Sequence, residues 1–183
     1  MNCVRRALPL SSPPPARAMK NSRNGTDKPS LSPASTLSAW RIFIGTRGIG
    51  KVYAVTAKDG KRTSKVVAEG LQQPNGIAFD PQGNIVVVNI GNSDVLTFST
   101  AGQLLKTENA AQPGNDGLVI MPDGTKYVSS VLNGGVSRIR PGVPAELIAR
   151  NIPNAASMCY DAGANQLVIP MNPNNGLAFV PLK

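Results

Sequence analysis

Asn75-Gly76-Ile77-Ala78-Phe79-Asp80-Pro81-Gln82-Gly83-Asn84 reads as a short apolar strand, a tight Gly-containing turn and the start of a second strand. Forty-one residues on, Asp116-Gly117-Leu118-Val119-Ile120-Met121-Pro122-Asp123-Gly124-Thr125 repeats the arrangement. About forty residues further, Met158-Cys159-Tyr160-Asp161-Ala162-Gly163-Ala164-Asn165 follows it more loosely. Each unit continues with a Val/Ile-rich strand, an Asn/Gly-rich loop and a third strand, and the first two add a fourth. A period near 40 with four strands per unit is the signature of propeller blades. A β-sandwich, the other all-β solution, does not require near-identical turns at this spacing.

Working outward, short apolar or alternating runs fall at 41–45, 51–57, 64–68, 76–80, 84–89, 95–99 and 103–107. Seven more lie at 118–121, 126–130, 136–140, 146–150, 157–161, 166–170 and 177–181. None has the length of a helix, and 16 Pro with 18 Gly favour many short elements joined by turns. The expected fold is an all-β partial propeller of about four blades over 41–183. Residues 74–107 and 116–150 form complete four-stranded antiparallel blades, with the first (41–69) and last (155–181) incomplete. Ring closure is what removes sheet edges in propellers. A chain open at both ends is therefore expected to self-associate or to be poorly soluble, unless residues 1–40 supply a strand.

Residues 1–40 differ in composition, with six Pro, seven Ser and a net charge of +5. Such a segment buries too little apolar surface to offset its ordering entropy, so a disordered basic leader is expected there. Residues 41–65 add +6, and the patterned remainder is slightly acidic at −2. The overall charge of +9 thus belongs to the leader and its junction. With Trp40 its only aromatic, the leader lacks stacking platforms for bases, and no nucleic-acid partner is expected. Arg5-Arg6 is followed only by Ala7-Leu8 before Pro9, too short for a secretory apolar core. With no apolar span of membrane length either, a soluble chain without a membrane partner is expected.

The chemistry available is limited by what is missing. The chain has no His, which removes Ser-His-Asp triads, His bases and His-ligated metal sites. Cys3 and Cys159 are too far apart for a CxxC pair, and Cys159 among apolar neighbours reads as a small core residue. Gly45-Thr46-Arg47-Gly48-Ile49-Gly50-Lys51 fits the start of a phosphate loop. Val52 then replaces the magnesium-binding Ser or Thr, and a strand follows rather than a helix, so an inter-strand loop is the better reading. Lys126, Arg138 and Arg140 read as charges on a solvated strand face, with holding an anionic substrate as the alternative. Asn133-Gly134-Gly135 fits either a hairpin or a rim contact.

Asn75 and Asp116 occupy equivalent positions before the first strands of successive blades. First strands line the central channel, so two oxygen-bearing side chains would converge at its mouth as part of a calcium site. The competing reading is that Asn and Asp before Gly merely favour turn conformations.

Through 71–81, Asn115-Asp116-Gly117-Leu118, Asn133-Gly134-Gly135-Val136 and the closing segment 153–183, the chain resembles the gluconolactonase / regucalcin / luciferin-regenerating-enzyme family of six-bladed propellers. The resemblance implies a divalent cation, commonly calcium, held by Asn75, Asp116 and a Glu of the first blade. It also implies hydrolysis of a lactone or sugar-like substrate, with Asp116 orienting or deprotonating the attacking water. The family's early blades and their Glu have no counterpart here, so an N-terminally truncated member is expected. The alternative is a non-catalytic propeller that binds a protein or saccharide.

Overall fold

The computed structural model describes residues 3–7, 39–172 and 174–183. Among these residues fifteen strands form four antiparallel sheets. The first holds β1 (Cys3–Ala7), β2 (Ala39–Thr46), β3 (Lys51–Lys58) and β4 (Lys61–Ala68). The second holds β5 (Pro74–Phe79), β6 (Ile85–Asn89), β7 (Asp94–Phe98) and β8 (Leu104–Asn109). The third holds β9 (Asn115–Ile120), β10 (Lys126–Ser130), β11 (Gly135–Ile139) and β12 (Glu146–Ala149). The fourth holds β13 (Cys159–Asp161), β14 (Gln166–Met171) and β15 (Gly176–Pro181). No described residue is helical, so no helix long and apolar enough to cross a membrane occurs among them.

In every sheet the strands pair with their chain neighbours, as hairpin logic requires for the short connections that join all but β1 and β2. Positive-φ glycines close the reversals: Gly83 and Gly124 end the equivalent β5–β6 and β9–β10 turns, and their N–H groups bond to the carbonyls of Asp80 and Met121. The sheets stack face to face through three apolar layers. Phe43 and Val52 of the first sheet meet Ile77, Val87 and Phe98 of the second. Val86, Val88 and Val95 of the second meet Val128 and Ile139 of the third. Tyr127 and Val136 of the third meet Leu167, Ile169 and Val180 of the fourth. This is a propeller stacking pattern, with β5 and β9 packed side by side as innermost strands.

All fourteen expected strands are present, with small shifts at their ends. Three expectations require correction. Part of the supposed leader is in the sheet: Cys3–Ala7 pairs with β2 along its whole length, and Ala39 and Trp40 belong to β2 itself. Among the described residues the first blade is therefore four-stranded, and the last has three strands. The physical reason is the open inner edge of β2, whose backbone groups a strand from 1–40 satisfies. The rest of the leader lies outside the described residues.

Lys126, expected on a solvated face, is instead buried at 7% exposure. Its Nζ pairs with Glu108 Oε2 of β8 at 2.8 Å, across the junction between the second and third sheets. Burial alone pushes the Glu108 carboxyl up, but its hydrogen bonds and charge contacts with Lys106 and Lys126 together hold it below the usual range. Arg138 and Arg140 both pair with Glu146, at 2.7 and 3.2 Å. Finally, Cys159 is exposed rather than in the core. Strand alternation turns Met158 and Tyr160 inward against the third sheet and leaves Cys159 on the opposite face.

Candidate functional site at the channel mouth

Asn75 and Asp116 come together. Asn75 Nδ2 donates to Asp116 Oδ2 at 3.1 Å, joining the innermost strands of the second and third blades. Ser157 Oγ donates to the other carboxylate oxygen, Asp116 Oδ1, at 3.3 Å. The three residues stand at steps of 41, one per blade, and form a continuous polar row from β5 through β9 to the segment before β13.

Local backbone geometry explains how these side chains reach one another. In the β5–β6 ladder, Pro74 faces Asn89 and Ile77 faces Val87, so Asn75 and Gly76 oppose Val88 alone. In the β9–β10 ladder, Asn115 faces Ser130 and Leu118 faces Val128, so Asp116 and Gly117 oppose Ser129 alone. Both mouth residues therefore sit on β-bulges, which bend a strand and re-aim a side chain. Ser129 satisfies the displaced backbone: its Oγ accepts from Gly117 N at 2.8 Å and donates to the Ala156 carbonyl at 2.6 Å. In the fourth blade, Ala155 bridges Met171 and pairing resumes at Cys159 with Val168, placing Ser157 in a similar irregularity.

The turn reading of Asn-Gly and Asp-Gly is thereby corrected. Both pairs lie inside strands, and neither Gly76 nor Gly117 has a positive φ. Glycine serves close approach instead. A Cβ on Gly76 would collide with the Asp116 carbonyl oxygen and come within 2.6 Å of Val88 Cγ2. On Gly117 it would stand 2.8 Å from the Ala156 carbonyl oxygen. The bare backbone at these positions allows neighbouring inner strands to bring the three side chains into contact.

Electrostatically, the row holds one carboxylate. Burial pushes the Asp116 carboxyl above the usual aspartate range, while the Ser157 hydrogen bond and the charge of Arg47 pull it partly back. Arg47 lies in the β2–β3 turn, and its Nε donates to Gln73 Oε1 at 3.4 Å, two residues before Asn75. The sequence reading missed both Ser157 and Arg47. Ser157 had a signal, since a further step of 41 from Asp116 lands on it. Arg47 had none, because its charge acts on Asp116 from the loop that resembles a phosphate loop and is here a tight turn between β2 and β3.

Among the described residues no three His, Cys, Asp or Glu side chains cluster as a metal site. What the mouth supplies is one carboxylate with amide and hydroxyl oxygens, the oxygen-only chemistry that a hard divalent cation takes. The Asn75 amide now presents its nitrogen to Asp116, and a half-turn of that amide would present its oxygen. Asn133 donates Nδ2 to the Pro113 carbonyl at 2.9 Å, tying the β10–β11 loop to the loop before β9.

No protein-family model matches the chain, and no curated protein matches it in sequence. Solved structures do resemble it in fold. A gluconolactonase from Xanthomonas campestris superposes with a TM-score of 0.57 at 20% identity, over 79% of this chain and 54% of that one. A streptogramin B lyase gives 0.56 at 12% identity, over 78% and 51%. The hydrazine synthase of Kuenenia stuttgartiensis gives 0.62 at 22% identity, over 77% and 42%. The chain thus spans about half the length of these structures, and what it shares with them is the all-β, propeller-like stacking of antiparallel sheets.

Proposed function

We propose that the chain is a lactonase-like hydrolase, or the part of one that carries its metal-side residues, acting on a lactone or sugar-like ester at the channel mouth. The observation that carries this reading is the hydrogen-bonded row Asn75–Asp116–Ser157, centred on a carboxyl whose proton affinity burial has raised. The fold likeness to a gluconolactonase supports it.

Asn75, Asp116 and Ser157 would hold a divalent cation, with calcium the first choice for oxygen donors. Such an ion, when bound, supplies Lewis-acid polarisation of a carbonyl oxygen. The remaining work falls to the chain. Asp116, partly buried and anchored on both sides, would accept a proton from an attacking water, and its raised affinity favours that role. Asn75 and Ser157 fix its two oxygens, which removes rotational freedom before reaction. The charge of Arg47, which acts on Asp116, would favour a developing oxyanion.

A non-catalytic propeller that binds a protein or saccharide is the second reading, favoured by the presence of a single carboxylate in the row. Hydrolysis of a lactone panel with calcium, by the parent and by Asp116→Asn, separates the two. The enzyme reading expects turnover that falls about 10²–10⁴-fold in the variant. No turnover above the uncatalysed rate, or equal turnover in both proteins, rejects it.

A further inference from the structure

The outer hairpin of the first blade departs from the repeat. Its strands β3 and β4 hold eight residues each, whereas β7 and β8 hold five and six, and β11 and β12 five and four. The added length does not serve packing between blades. Val52, Ala54 and Val67 lie in the apolar layer against the second blade, but residues 58–65 are all exposed. That stretch, Lys58-Asp59-Gly60-Lys61-Arg62-Thr63-Ser64-Lys65, holds four cations and one carboxylate.

Strand alternation sorts these residues by face. In the β3–β4 ladder Ala54 pairs with Lys65, Thr56 with Thr63 and Lys58 with Lys61. Ala54 packs towards the second blade, so all three pairs look that way, while Arg62 and Ser64 look the other way. Between hairpin and second blade lies a groove of about 390 Å³, walled by Thr56, Thr63, Lys65 and Val67 on one side and by Thr100 of the β7–β8 turn on the other. Gly102 lets that turn dock, since a Cβ there would collide with the Val67 carbonyl oxygen. Lys58 and Lys61 continue the lysine face beyond Thr56 and Thr63. Among the described residues no ion pair involves Lys58, Lys61 or Lys65, and no acidic residue lines the groove.

We propose that this groove binds a phosphate or sulfate group carried by a small molecule. Charge sets the sign of the ligand: three lysines lie along one face without a carboxylate partner, and an anion relieves their mutual repulsion. Donor number sets its shape. Ammonium and hydroxyl donors come from two strands and a turn, which suits a tetrahedral group with three terminal oxygens better than a planar carboxylate with two. No aromatic side chain lines the groove, so a nucleobase has no face to stack on. Both walls lie within residues 54–101, at the junction of two consecutive blades. The hairpin also points away from the mouth row, because β3 runs away from the turn that carries Arg47, whose Nε reaches Gln73 near Asn75. The inference does not depend on the hydrolase reading.

A backbone-amide NMR titration of the full chain with inorganic phosphate and with inorganic sulfate, at constant ionic strength set by chloride, is the test. The expected result is a saturable shift confined to the amides around Thr56, Thr63, Lys65 and Thr100. Lys58→Gln/Lys61→Gln/Lys65→Gln should weaken the apparent affinity by at least about tenfold. Thr56→Val/Thr63→Val, which keeps every charge, should weaken it by about fivefold. Glucose 6-phosphate and glucose 6-sulfate show which ester the groove takes, with glucose as the uncharged reference, and at least one ester should bind where glucose does not. Shifts that never saturate, that spread to Lys106 and Lys183, or that persist unchanged in either variant overturn the proposal. So does equal binding of glucose, or no shift with any of the anions.

Discussion

The same 41-residue step builds two kinds of row, and they behave differently. The packing row Val95–Val136 repeats one chemical type and is fully buried. The mouth row Asn75–Asp116–Ser157 changes from amide to carboxylate to hydroxyl, is partly exposed, and links blades by side-chain hydrogen bonds. In the packing row each member does the same thing, filling space against the next sheet, and the apolar area removed from water is its contribution. In the mouth row each member does something different to one carboxylate. A repeat thus supplies the scaffold by sameness and the chemistry by departure from it, with bulges lifting the departing positions out of the packed ladder.

The comparison breaks most forcibly at a packing position. Val136→Asp places an unpaired carboxylate in a fully buried junction, and its expected cost exceeds about 4 kcal/mol, enough to abolish the cooperative unfolding transition. Leu177→Asp makes the same chemical change at the equivalent position of the last blade. Within a single chain it should alter stability by under about 0.5 kcal/mol, as read by denaturant melts. Equal losses in the two variants would mean that position in the repeat, rather than the presence of a neighbouring blade, sets the burial.

The smaller expected effect lies in the mouth row. The Asp116 carboxyl has a folded-state affinity above its unfolded one, so between those values the folded chain binds more protons and stability falls as pH rises. Asp116→Asn removes that ionisation. The variant should therefore be the more stable at neutral pH, by less than about 1 kcal/mol given the partial exposure, and the gap should close below the ordinary aspartate range. Urea melts at several pH values would show it. A variant less stable than the parent at neutral pH would mean that the bonds from Asn75 and Ser157 outweigh desolvation.

Much of this was legible in the sequence because the period was. Fourteen strands, the turns at Gly83 and Gly124, and the meeting of Asn75 with Asp116 all follow from Gly-containing reversals and Val/Ile runs repeated at one spacing. Ser157 escaped because its repeat had drifted in sequence and was aligned one residue out of step, and a one-residue slip in a strand reverses its faces. The strand Cys3–Ala7 escaped because its partner β2 begins thirty-odd residues away at Ala39, across a segment whose composition reads as unstructured. Local pattern carries no information about pairing over such a distance. Lys126 misled for a related reason: its charge reads as solvent-facing, while the Glu108 that neutralises it comes from the preceding blade. The bulges were illegible too, since Asn-Gly and Asp-Gly look the same in a turn and in a crowded inner strand.

The most direct measurement on the mouth row is a calcium titration followed by thermal unfolding, on the parent and on Asp116→Ala. A cation that binds the folded chain through this row must raise the parent's midpoint, by roughly 5–10 °C at calcium a hundredfold above its dissociation constant. The midpoint of the Asp116→Ala variant should stay where it is. No rise in the parent, or the same rise in both proteins, would contradict the account and leave Asn75, Asp116 and Ser157 as a polar seam between blades.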